Sequence, residues 1–299
     1  MTRTRRPRTG CKTSSCKFGA HMSIAGGYER ALLAAHALGC QTVQLFTKNN
    51  NQWNAPPISA EQSALFRKTR EETGILDPVA HSSYLINLAS PDDGLWKKSI
   101  EAVVYEAQRC SQLGIADLVV HPGAHTGSGE EAGLLRVAKA LDEIRERTGE
   151  LGLTIDLETT AGQGTTLGHR FEHLQAILGL VADSRGLGIC LDSCHIFAAG
   201  YSLDAPQRYD EVIEQLKGAV GIDRLRVWHL NDSCRECGSR VDRHAGIGSG
   251  CMGLEPFRYI VKDPRFRHLP MILETPKGTE DGEELDARNL RILRQLAES

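Results

Sequence analysis

The sequence predicts a single-domain α/β fold, a (β/α)₈ barrel, on three observations. Eight short apolar, β-branched runs alternate with eight longer stretches of helical periodicity. The chain has 299 residues, enough for a barrel of the usual ~250. No shift in composition divides it beyond residue 17. The rival, an open doubly wound sheet, would carry a G-x-G-x-x-G turn after its first strand. Here "AHMSIAGGYER" offers only Gly26-Gly27.

The expected strands are "FGAHM" (18–22), "TVQLF" (42–46), "DPVAH" (77–81), "DLVVH" (117–121), "LTIDLE" (153–158), "LGICLD" (187–192), "LRVWHL" (225–230) and "PMILE" (270–274). Helical segments follow them near 27–39, 60–73, 92–113, 129–148, 168–183, 205–219, 254–262 and 281–297. Ser59 is placed to cap the second helix, and Ser90-Pro91-Asp92 to start the third. In that third helix Ile100, Val103, Val104 and Ala107 share one face, the side to bury. Glu101, Glu106 and Gln108 fall mostly elsewhere.

Residues 1–17 carry six basic side chains and no acidic one, and read as a disordered arm ahead of a catalytic barrel at 18–299. Such an arm is either a solvated tail or a phosphate-seeking extension. Without it the net charge of −3 becomes −9. That is odd for a nucleic-acid binder unless some of the acids hold cations. No apolar run approaches the ~20 residues of a membrane span, and no apolar segment follows the start as in a secretory signal. Nine scattered cysteines then read as reduced thiols in a cytoplasmic protein. Cys234 and Cys237 form a lone CxxC with no second pair to complete a zinc ribbon, so they read as incidental thiols.

The chemistry lies in how the later strands end. The third to eighth close on or near His81, His121, Glu158, Asp192, His229 and Glu274. His195 follows the sixth strand, and Asp242 and His244 follow the seventh. Barrel strands converge at their C-terminal ends, where active sites sit. Five imidazoles and four carboxylates should therefore meet in one bowl. Packed acids repel one another and cations resolve the repulsion. His with carboxylate suits zinc, manganese or iron. Nine ligands are too many for one ion and suit two or three, with His195, Asp242 and His244 serving one of them. His21 and His125 could line the bowl without binding. His36, His169, His173 and His268 receive no role. Such a centre fits phosphoester hydrolysis, since paired metals activate water and neutralise phosphate.

The segments "HSSYLINLASP", "HPGAHTG", "LETTAGQGTTLG", "LDSCHIFAAGY", "WHLNDS", "SRVDRHAGIGSG" and "ILETP", with "FGAHMSIAGG" and "LFTKNNNQW", closely resemble the endonuclease IV family of apurinic/apyrimidinic endonucleases over about residues 18–297. The resemblance implies a monomeric, zinc-dependent hydrolase of DNA base excision repair. It would cut double-stranded DNA on the 5′ side of an abasic site, leave a 3′-hydroxyl and a 5′-deoxyribose phosphate, and trim blocked 3′ ends. It implies three Zn²⁺ per chain, with Mn²⁺ an alternative in one site. The first would sit on His81, His121 and Glu158, the second on Glu158, Asp192, His229 and Glu274, the third on His195, Asp242 and His244. Glu158 would be the bridging carboxylate that organises the attacking hydroxide. Tyr84 and Leu85 match wedge positions that fill the gap left by a flipped nucleotide.

Two departures stand out. Asn51 replaces a usual arginine two residues before Trp53, which leaves Lys48 or the arm to supply the contact. Cys234 stands where a lysine often follows the Asn-Asp run. The alternative reading is a metal-dependent sugar isomerase or epimerase on a related barrel, which would not need His195, Asp242 and His244 as a further site.

Overall fold

A computed structural model describes residues 16–299. The order is β1 (Lys17–Ala20), α1 (Tyr28–Ala37), β2 (Gln44–Phe46), α2 (Ala60–Thr73), β3 (Val79–His81), α3 (Asp93–Leu113), β4 (Asp117–Val120), α4 (Glu130–Thr148), β5 (Thr154–Glu158), α5 (Phe171–Leu180), β6 (Leu187–Asp192), α6 (Ser193–Ala199), α7 (Pro206–Val220), β7 (Leu225–His229), β8 (Asp232–Ser233), β9 (His244–Ala245), α8 (Glu255–Lys262), β10 (Pro270–Leu273) and, after a short hairpin, α9 (Leu285–Glu298). Eight parallel strands form one sheet in the order β1-β10-β7-β6-β5-β4-β3-β2. The ends β1 and β2 meet through the Gln41 N–H on the Phe18 carbonyl and the Met22 N–H on the Gln44 carbonyl, both 2.8 Å. A bridge between His21 and Gln44 completes the (β/α)₈ ring.

The expected caps form. Ser59 and Gln62 make a reciprocal capping box on α2, and the Asp92 carboxylate accepts from the Leu95 N–H at 2.6 Å on α3. Side-chain alternation along the strands then sets the interior. Val79, Val119, Cys190, Val227 and Ile272 make a small apolar core inside the ring, separate from the larger core between strands and helices. Two residues further along the same strands stand His81, His121, Asp192, His229 and Glu274. The inner apolar layer is thus the floor on which the polar bowl rests.

Four local readings change. Most of the expected arm lies outside the described residues, but Cys16 and Lys17 belong to the barrel. The Cys16 thiol donates to the Val261 carbonyl at 3.2 Å, and Lys17 opens β1. A short helix, α6, starts directly at the end of β6, in a stretch to which the sequence reading assigned no helix. The stretch after β7 is a ribbon, because β8 and β9 pair antiparallel and fold 234–243 back over the rim. Glu106 does not face outward on α3. It is 1% exposed, and Arg109 one turn on is 2% exposed.

The β1–β2 seam leaves no room beside Gly19, where an added Cβ would lie 2.4 Å from the Thr42 carbonyl oxygen. Gly19→Ala must push backbone against backbone. It should cost about 1–3 kcal/mol of unfolding free energy in urea titration; an unchanged midpoint would mean that the seam yields freely.

Candidate metal centre

All nine residues singled out at the strand ends share one connected bowl. Glu158 is its middle and is fully buried. Its Oε2 faces His81 Nε2 at 3.0 Å and His121 Nε2 at 2.8 Å. Its Oε1 faces His229 Nδ1 at 2.9 Å. That same nitrogen lies 3.1 Å from Glu274 Oε2 and 3.8 Å from Asp192 Oδ2. Beyond Asp192 the Asp242 carboxylate spans two rings, with Oδ2 3.2 Å from His195 Nε2 and Oδ1 3.3 Å from His244 Nε2.

The far nitrogens explain what these contacts mean. His81 Nδ1 meets the Ser82 carbonyl at 2.7 Å, His195 Nδ1 the Thr159 carbonyl at 2.8 Å, and His244 Nδ1 the Glu274 carbonyl at 3.2 Å. His229 is turned round, its Nε2 meeting the Gln44 side-chain oxygen at 2.8 Å. An oxygen can only accept, so each far nitrogen carries the proton and each near nitrogen presents a lone pair. Lone pairs then face carboxylate oxygens, which requires a cation between them, either an added proton on each ring or a metal ion. His244 Nε2 has no hydrogen-bond partner although it is buried. Among the described residues, no lysine or arginine pairs with any of the four carboxylates. Among the groups with ligand atoms close enough together to hold a metal are His81–His121–Glu158, Glu158–Cys190–His229 and Asp192–His195–His244. The donor set fits the ions expected from the sequence.

Without metal, the protons take that role. Burial alone would neutralise His195, but the Asp192 charge and the hydrogen bonds it can donate to Asp242 and Glu158 raise it well above the usual imidazole range. Burial works against His244 too, yet Asp192 and Asp242 lift it to about 9. Burial would raise Glu158, but its neighbours His121 and His229 hold it well below the carboxylate range.

Two amides that the sequence reading missed fix the acids. Asn231 Nδ2 donates to Asp192 Oδ2 at 2.7 Å, while its Oδ1 accepts from the Glu274 N–H at 2.8 Å. Gln44 Nε2 donates to Glu274 Oε1 at 2.6 Å. Asn231 lies inside "WHLNDS", and Gln44 is a lone polar residue in an apolar strand; those were the signals. His21 does line the bowl, 3.6 Å from Glu274. His125 instead accepts from the Gly127 and Gly129 N–H groups and holds a loop.

The proposed DNA contacts divide. Tyr84 is 58% exposed at the lip, and Asn51 is exposed on the loop after β2. Leu85 is half-buried. Lys48 cannot reach a ligand. Its ammonium is buried, 2.7 Å from the Gln52 carbonyl and 3.0 Å from Glu106, so it staples its own loop. Glu130, His169 and His173 form another group of ligand types off the rim. There the Gly168 N–H occupies His173 Nδ1 and the Arg170 guanidinium already covers Glu130, so no cation is called for. Cys234 and Cys237 are exposed and unpaired.

A sequence model of the xylose isomerase-like TIM barrel family matches residues 32–296. A Chloroflexus aggregans protein named probable endonuclease 4 is 53% identical, with 94% of this chain and 97% of that protein covered. The crystal structure of endonuclease IV from Thermus thermophilus superposes with a TM-score of 0.81 at 37% identity, over 94% of this chain and 99% of that one. A D-tagatose 3-epimerase-like protein reaches 0.72 at 20% identity over 94% of this chain and 97% of that one, a likeness of fold alone.

The protonated imidazoles set a pH window for the metal-free protein. Raised imidazoles contribute stability in full below about pH 6.5, their unfolded value, and lose it as the pH rises through about 9 at His244. Depressed carboxylates contribute above about pH 4 and lose it as the pH falls further. The melting midpoint of metal-free protein should therefore fall between pH 6.5 and 9.5. Zinc-loaded protein should stay nearly level, and zinc binding near pH 7 should release protons in calorimetry across several buffers. A metal-free midpoint that climbs over that range would contradict the protonated network.

Proposed function

The chain belongs to the endonuclease IV family, and from that premise we propose that it is a zinc-dependent apurinic/apyrimidinic endonuclease of base excision repair. It hydrolyses double-stranded DNA on the 5′ side of an abasic site, leaving a 3′-hydroxyl and a 5′-deoxyribose phosphate, and trims blocked 3′ ends. It works as a monomer in the cytoplasm; among the described residues no helix is long and apolar enough to cross a membrane.

The observation that carries this reading is the division of Glu158, whose two oxygens face different imidazole sets. A carboxylate so placed could serve two ions. His81, His121 and Glu158 would hold one Zn²⁺, and Glu158, Asp192, His229 and Glu274 a second. His195, Asp242 and His244 would hold the third, and Mn²⁺ could take one of these places. Bound there, the ions supply Lewis-acid activation of water and neutralise the charge of the scissile phosphate.

The chain's own part is orientation and access. Backbone carbonyls and Gln44 fix which nitrogen of His81, His195, His229 and His244 faces the bowl. Asn231 holds Asp192 and the Glu274 backbone in register. Tyr84 stands at the lip with its ring centroid 5.5 Å from those of His81 and Phe46. With Leu85 it can fill the space an extruded abasic nucleotide leaves in the stack, and a nucleotide lacking its base is the least costly to extrude. An epimerase has no evident use for the His195–Asp242–His244 group or for an exposed aromatic beside the bowl.

An end-labelled abasic duplex incubated with and without a strong chelator tests the activity, and elemental analysis near three zincs per chain tests the centre. Duplex bound but left uncut by zinc-replete protein would overturn the enzyme reading. Glu158→Gln should lower cleavage by more than about 100-fold, beyond the loss usual for disturbing a ligand's outer partner, while circular dichroism stays native. Asn51→Arg should tighten abasic-duplex binding about 10-fold, the worth of one charge-assisted hydrogen bond; equal or weaker binding would place this loop away from the DNA.

A further inference from the structure

The loop after β2, residues 47–59, has no regular structure until α2 begins, yet its carbonyls are systematically taken by side chains. Arg109 on α3 donates to the Thr47 carbonyl at 2.7 and 3.0 Å and to the Pro56 carbonyl at 2.8 Å. Tyr105, also on α3, donates to the Ala55 carbonyl at 2.8 Å. Lys48 donates to the Gln52 carbonyl, and the Ser83 hydroxyl to the Asn50 carbonyl at 2.5 Å. Lys98 lies 4.3 Å from the Trp53 ring centre.

Glu106 sits where this loop meets the next. Its Oε1 lies 3.0 Å from the Lys48 ammonium and accepts from the Ser83 N–H at 3.2 Å. One buried oxygen thus ties the loop after β2, which carries Asn51, to the loop after β3, which carries Tyr84 and Leu85. Both side chains of the Lys48–Glu106 pair are 1% exposed. A pair so desolvated adds little net stability over apolar side chains of the same volume, but removing one partner strands the other. Its value lies in geometry rather than in stability.

We propose that Glu106 is a positioning residue that locks the loops after β2 and β3 into one unit and so sets Tyr84 and Leu85 at a fixed place relative to Asn51. The inference builds on the proposed nuclease function, because the two loops flank the bowl at the lip where DNA would lie. A preset lip lowers the ordering needed on binding. Glu106 touches neither the bowl nor a ligand, so its loss acts on recognition and leaves the chemistry intact.

Amide hydrogen exchange on the free, zinc-loaded protein tests the coupling without substrate. In Glu106→Gln, amides of 49–53 and 83–86 should exchange at least about 10-fold faster together, the mark of a lost cooperative tie. Tyr105→Phe, which removes only the hydroxyl on Ala55, should loosen the first loop and leave 83–86 as it was. On an abasic duplex Glu106→Gln should raise KM about 10-fold with kcat within twofold and zinc content unchanged. If Glu106→Gln fails to fold, the double variant Lys48→Met with Glu106→Met removes both charges while keeping the volume, and should show the same paired loosening and KM shift. Loosening of one loop alone, or a fall in kcat at constant KM, would overturn the proposal. If the unaltered protein leaves abasic DNA uncut, the nuclease reading falls while the exchange result still decides the coupling.

Discussion

Four carboxylates share one bowl, and the nitrogens that face them carry lone pairs. That single arrangement governs the rest of the structure. Negative oxygens at 2.8–3.3 Å from imidazole nitrogens are tolerable only with positive charge between them. A lysine or arginine would supply it permanently and close the site. Imidazoles supply it conditionally, as protons that can leave. The bowl is therefore a set of exchangeable cation places, and the fold is arranged to hold its donors still while their occupants change. Ser82, Thr159 and Glu274 contribute backbone carbonyls, Gln44 an amide, and each fixes one ring.

The barrel makes such a bowl from residues far apart in the chain. Two-residue alternation puts Val79 under His81, Val119 under His121, Cys190 under Asp192, Val227 under His229 and Ile272 under Glu274. The apolar layer keeps water from entering beneath the donors, and its β-branched side chains pack without polar groups of their own. Asp156 is the exception in that layer. It lies two residues before Glu158, wholly buried, with neither oxygen hydrogen-bonded. Burial and the nearby Asp117 charge push it well above the carboxylate range, which favours its neutral form below Glu158.

The barrel and the meeting of six strand-end side chains in one bowl were legible because both follow from strand periodicity. A strand end is fixed by where the apolar run stops, and parallel strands in a ring send their ends to one place. What stayed hidden depends on contacts between elements that no local pattern encodes. Glu106 looked solvent-facing because its helix has an obvious apolar stripe, and nothing in that stripe announces a second buried face turned to the loops. Lys48 looked available because lysines on loops usually are; its burial is set by Glu106, 58 positions away. Gln44 and Asn231 are amides, compatible with almost any surroundings, and only the bowl gives them a task. The helix after β6 went unread because Asp192 ends a strand and also caps α6, accepting from the His195 N–H at 2.9 Å.

Chemistry and grip consequently reside on different parts of the ring. β3 to β7 and β10, with the ribbon after β7, carry the donors, while the loops after β2 and β3 carry the exposed groups at the lip. The two meet only at β3, where His81 faces the bowl and Tyr84, three residues on, faces out. Because of this separation, a change at Asn51 leaves the nine side chains of the bowl undisturbed. With Lys48 buried, the loop after β2 offers at its tip the uncharged amides of Asn49, Asn50 and Asn51.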